Sequence, residues 1–138
     1  MKIYTSYFSN AARLRAANIE QIGISLYPPK WFTGVSLKQV APTKELFTAT
    51  WLSDEAYEKR FRNEVLAQVD ALEFYNLLER MGRGKDVALC CFEKDVKDCH
   101  RKLVGEWLTR ELGIEVKEFG QKEKPTQPTE TYEEPSLF

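Results

Sequence analysis

The chain has one histidine, His100, among its 138 residues, and three cysteines, of which Cys90 and Cys91 are adjacent. A single imidazole cannot furnish a histidine-rich metal site, and no Cys-x-x-Cys pair supplies ligand spacing, so neither a metal nor a cofactor is expected. Neighbouring cysteines pair poorly and an odd thiol would remain, so all three are expected to be reduced. No apolar run approaches the roughly 20 residues a bilayer span needs. Met1-Lys2-Ile3-Tyr4 opens into a strand-like segment rather than a signal peptide, which points to a cytoplasmic protein without membrane contact. Charge of one sign is also lacking: 20 Lys and Arg face 21 Asp and Glu, for a formal net charge of -1. A broad positive field of the kind that drives non-specific nucleic-acid binding is thereby excluded, and any such contact must be local. No internal repeat of solenoid period is present.

The composition is 43% hydrophobic and 30% charged, ordinary for a globular domain of a size that needs no disulfide or metal staple. Lys2 to Phe8 is rich in aromatic and β-branched residues and suits a first strand. Ser9 or Asn10 can cap a short helix reaching about Ala17, and Ile19 to Tyr27 reads as a second strand stopped by Pro28-Pro29. Lys30 to Leu52 shows no clear period and is expected to be irregular, with a short helix near Leu37. From Ser53 the pattern is helical, with Tyr57, Phe61, Val65 and Val69 on one face. A break near Asp70 divides this stretch in two, and the second helix should end at Met81-Gly82 with Gly82 in the left-handed cap conformation. Asp86 to Phe92 is apolar on both alternating faces, as a central strand of a parallel sheet should be. A helix from about Cys99 to Leu112 and a strand over Ile114 to Phe119 follow.

This order predicts an α/β fold: a small single domain over residues 1–119, with a mostly parallel sheet flanked by helices in a Rossmann-like three-layer arrangement. Residues 120–138 hold three of the six prolines and are expected to form a flexible tail.

Ligands of such sheets bind outside the carboxyl ends of the strands. Ser6 to Asn10, Tyr27 to Phe32 and Glu93 to Arg101 fall there. With Asp98 as N-cap, Cys99, His100 and Arg101 occupy the first turn of the last helix, an anion-binding geometry that would also lower a thiol pKa. Cys99, His100 and Glu93 are therefore the candidates for chemistry, and Glu93 is also a carboxylate partner within reach of His100 or Arg101. Arg101, Tyr27, Lys30, Trp31 and Ser6 are the candidates for ligand binding. The plainer alternative is a capped helix in which Cys99 packs as a small hydrophobe and Arg101 pairs with Glu93 or Asp95.

The turn at Tyr27-Pro28-Pro29 and the run Cys91-x-Glu93 followed by Cys99-His100-Arg101 resemble the bacterial and phage DUF488 family. The likeness extends from about Ile3 to Phe119. Where that family usually ends its second strand in an Asp-Val-Arg-like element, this chain has Ser25-Leu26-Tyr27. The resemblance implies where a site lies but no reaction.

Two functions compete on this reading. One is a small enzyme or enzyme-like domain that binds a phosphorylated or nucleotide-type ligand at the Cys-His-Arg helix start. The other is a non-catalytic module linked to DNA maintenance, whose terminal Ser136-Leu137-Phe138 is similar to peptides that dock on sliding clamps. A structural domain in which Cys-His-Arg only stabilises a turn is the third alternative.

Overall fold

In the segment Val87-Ala88-Leu89-Cys90-Cys91 every residue is buried, because this strand, β4 (Asp86–Cys91), runs through the middle of the sheet. The structure is a computed structural model that describes residues 1–93 and 100–120. The other strands are β1 (Ile3–Tyr7), β2 (Ile19–Gly23), β3 (Val35–Ser36) and β5 (Val116–Glu118). They are arranged in the order β3-β2-β4-β1-β5, and each neighbouring pair is parallel. The expected three-layer α/β domain is thus observed.

The period of two along the strands divides the core. Ala88 and Cys90 face a small cluster with Phe8, Leu14 and Ile19, covered by α1 (Ala11–Ala16). Val87, Leu89 and Cys91 face the larger cluster, which is covered by α4 (Ala71–Gly82) and α5 (Arg101–Leu112) and includes Phe74, Leu78, Val104 and Leu108. At 25 cal/mol per Å², burying a single such side chain stabilises by about 1.5–3 kcal/mol, so this larger face dominates stability.

Several elements differ from expectation. The second strand ends at Gly23, not Tyr27, and β3 pairs closely with it there: Leu37 N–H donates to Gly23 O at 2.7 Å, and a Cβ on Gly23 would meet Ser36 Oγ at 2.8 Å. The segment expected to be irregular holds β3, a 3₁₀ turn over Lys38–Val40 and α2 (Lys44–Thr48), whose Thr43 cap accepts from Leu46 N–H. The helix from Ser53 is α3 (Asp54–Glu64), so Val69 lies beyond it, past a second 3₁₀ turn. Asn10 does not cap α1 through its side chain; its Nδ2 donates to Ser6 Oγ at 3.1 Å. Gly82 is the last helical residue rather than the left-handed one. A Cβ there would meet Val87 Cγ1 at 2.9 Å, and the left-handed conformation passes to Arg83 at φ 48°.

The break near Asp70 is observed. Asp70 Oδ1 accepts from Glu73 N–H at 3.0 Å and starts α4. Asp70→Ala should therefore lower the unfolding free energy by about 1 kcal/mol in a urea titration. An unchanged midpoint would show that this bond does not hold the start of α4.

Candidate functional site

A parallel sheet brings the carboxyl ends of its strands to one edge. Here Ser25 to Tyr27 follow β2, and Phe92 and Glu93 follow β4, beside the start of α5. The excursion carrying α2, together with the first turns of α3, stands opposite them as an outer wall. Between the two sides lies a cleft of about 1000 Å³. Such volumes are at the upper end for small-molecule sites.

The inner side of the cleft is fixed by two adjacent residues of α5's start. His100 Nε2 lies 2.6 Å from Ile24 O. A carbonyl oxygen only accepts, so Nε2 carries the hydrogen and donates, which leaves the ring lone pair on Nδ1. Ile24 N–H in turn donates to Cys90 O at 2.9 Å, so the ends of β2, β4 and α5 are joined. Burial, partly opposed by the Ile24 bond, lowers the His100 pKa to about 4, and the imidazole is neutral at neutral pH.

Arg101 reaches in the other direction. Its side chain is fully buried, and Nε and Nη2 each donate to a Glu118 carboxylate oxygen at 3.0 Å. Nη1 lies 3.2 Å from Cys91 Sγ and donates to Glu93 O, while the guanidinium sits 5.9 Å from the Tyr7 ring centre. Thr5 Oγ1 donates to Glu118 as well, at 2.7 Å. One guanidinium therefore ties α5 to β5, to the end of β4 and to the loop that carries Glu93.

The predicted site residues separate accordingly. Tyr27, Glu93 and His100 line the cleft together. Arg101 does not line it, since its guanidinium points to Glu118 inside the sheet edge rather than to a ligand. Ser6 is fully buried among the residues paired with Cys90 on the α1 side of the sheet, and accepts from Asn10 instead. Lys30 is exposed but not part of the cleft, and Trp31 leans on Phe8 with ring centres 6.5 Å apart. The α5 helix begins at Arg101, with His100 in the cap position and no side-chain cap bond. Asp98 and Cys99 lie outside the described residues, as do Ser136, Leu137 and Phe138.

The expectation of reduced thiols is corrected at Cys91, which is disulfide-bonded, whereas Cys90 is a free thiol. The two point to opposite faces, and burial pushes the Cys90 thiol up to about 12, which makes it unreactive. Among the described residues the carboxylate partner of Arg101 is Glu118 rather than Glu93; Asp95 lies outside them. Glu93 contributes its backbone oxygen and leaves its carboxylate on the cleft side.

Sequence reasoning missed the outer wall. Phe47 of α2 and Tyr27 form an edge-to-face pair with ring centres 5.4 Å apart, and each is about half exposed, 52% and 48%. Tyr57, read from periodicity as a core residue, packs on Phe61 with one side and lines the cleft with the other. Burial, with a smaller effect of Glu93, raises its phenol to about 12, so it stays a neutral hydrogen-bond donor. Asp54 and Glu58, one turn apart on α3, also face the cleft, as does Lys102 from α5. The Thr43 and Ser53 caps were the signals from which this wall could have been read. Among the described residues no group of His, Cys, Asp or Glu is placed to hold a metal ion, and no helix is long and apolar enough to cross a membrane.

The family model described as the active DUF488-N3 subclade matches residues 6–112. The chain belongs to the DUF488 family. No curated protein and no solved structure matches it. The matched region runs from β1 through α5 and so contains both sides of the cleft, but it stops short of Glu118, the partner of Arg101.

Two outcomes are expected for this DUF488 domain. Arg101→Ala leaves Glu118 in a largely buried position without its partner, so the unfolding free energy should fall by about 3–5 kcal/mol; a loss below 1 kcal/mol would show that the pair does not hold the fold. The second concerns His100, whose pKa is lower in the folded protein than the ordinary 6.5. The unfolded chain then takes up the proton first, so this group's contribution is complete above about 6.5 and is lost as pH falls toward about 4. His100→Gln should flatten the fall in melting temperature across that window; an unaltered slope would place the acid sensitivity elsewhere.

Proposed function

We propose that this DUF488 domain is a small enzyme or enzyme-like protein that binds a nucleotide-type ligand in the cleft at the carboxyl edge of its sheet. The base would lie on the Tyr27 and Phe47 rings, with any phosphate toward Lys102 in the first turn of α5. The half-exposed aromatic pair on the rim of a large cleft carries this reading, since ring faces left open beside a cavity suit a planar partner. The description of the family model as active favours chemistry over a purely structural domain. Within the cleft, Glu93 is the candidate acid or base, Tyr57 a candidate neutral donor, and His100 the group that holds the inner wall.

Stacking of a base on an aromatic side chain contributes about 1–3 kcal/mol. Tyr27→Ala and Phe47→Ala should each weaken binding of nucleosides and nucleoside monophosphates by roughly 5- to 100-fold, with thermal melts preserved. Trp51 is 73% exposed between two cleft-lining residues, Thr50 and Leu52, and its fluorescence would report the titration. Absence of binding to the unmodified protein, or affinities untouched by both substitutions, would remove the proposal.

A further inference from the structure

The ionisable groups of the cleft are unbalanced. Among the described residues, Asp54, Glu58 and Glu93 face it against one cation, Lys102. Arg62 lies 3.7 Å from Glu58 and offsets part of that charge, but among the described residues neither Asp54 nor Glu93 has an ion-pair partner. His100 adds no positive charge at neutral pH, and the charge of Arg101 is directed to Glu118.

The aromatic rim acts in the same sense. A ring face carries the negative end of its quadrupole, so open tyrosine and phenylalanine faces attract a cation as well as a planar group. A phosphate placed deep in this cleft would meet three carboxylates. A neutral base would gain from the rings and from N–H donation to the carboxylates, but not from their charge. A planar ring with a delocalised positive charge would make the same bonds and gain in addition from charge attraction to both the ring faces and the carboxylates.

We propose that the preferred ligand is a positively charged purine, a nucleoside alkylated on a ring nitrogen, held on Tyr27 and Phe47 and neutralised by Asp54 and Glu93. This rests on the nucleotide-type reading given above and narrows it to one class of base. No covalent step is involved.

The test is calorimetric titration of the full chain with guanosine, 7-methylguanosine and guanosine 5′-monophosphate, in slightly acid buffer where the methylated ring keeps its charge. Cation–π attraction contributes about 0.5–2 kcal/mol, so 7-methylguanosine should bind roughly tenfold more tightly than guanosine. That preference should shrink with added salt and in the Asp54→Asn, Glu93→Gln double variant. Equal affinities for guanosine and 7-methylguanosine would overturn the charge preference while leaving the nucleotide-type reading standing. Tighter binding of the monophosphate than of 7-methylguanosine would overturn it as well. If none of the three binds, both readings fail.

Discussion

The ion pair between Arg101 and Glu118 is the constraint on which the site depends. An arginine with no exposed side-chain surface is tolerated only when its charge and its donors are met. Among the described residues they are met from three directions at once: the Glu118 carboxylate on β5, the Cys91 sulfur at the end of β4, and the Glu93 backbone oxygen. Such a network is costly when incomplete, so satisfying it fixes the position of each contributor. The edge strand β5 is only three residues long, and its Glu118 binds both Arg101 and Thr5. Its attachment to the domain therefore depends on this carboxylate as well as on its ladder with β1.

His100 does the complementary task on the other side of the sheet edge. The histidine binds the end of β2, the arginine binds β5 and the end of β4, and the two are consecutive in sequence. In the strand order β3-β2-β4-β1-β5 these anchor points stand on opposite sides of β4 and β1. The start of α5 is thereby held across the width of the sheet. A rigid inner wall for the cleft results, and Glu93 is presented on it by its own main chain rather than by its side chain.

How much of this was legible in the sequence depends on the range of the interactions involved. β4 was legible because the unbroken apolar run from Val87 to Cys91 has the length of a strand and suits one covered on both faces; the Asp70 break was legible because a cap is a local signal. The edge at which the cleft lies was legible too, since a parallel α/β order sends strand ends to one edge. The partners were not. Glu118 lies 17 residues beyond Arg101 on an edge strand whose register with β1 no local pattern specifies. Ser6 was misplaced for a related reason: one step along β1 exchanges the face of Arg101's neighbour Tyr7 for the face of Cys90. The outer wall escaped because β3 has two residues and α2 five, too few to display a period.

Among the described residues the distribution of charge is opposite to what the motif suggests when read alone. Cys-His-Arg at a helix start reads as an anion site, with a guanidinium and a polarised imidazole beside free backbone N–H groups. In the folded chain the guanidinium is drawn inward by Glu118 and the imidazole is kept neutral by burial, so neither lends positive charge to the cleft. What faces the cavity instead comes mostly from residues without a motif: Tyr27 and Phe47, the carboxylates of α3, and Glu93. The structural demand on His100 and Arg101 is thus separate from the chemical character of the cavity.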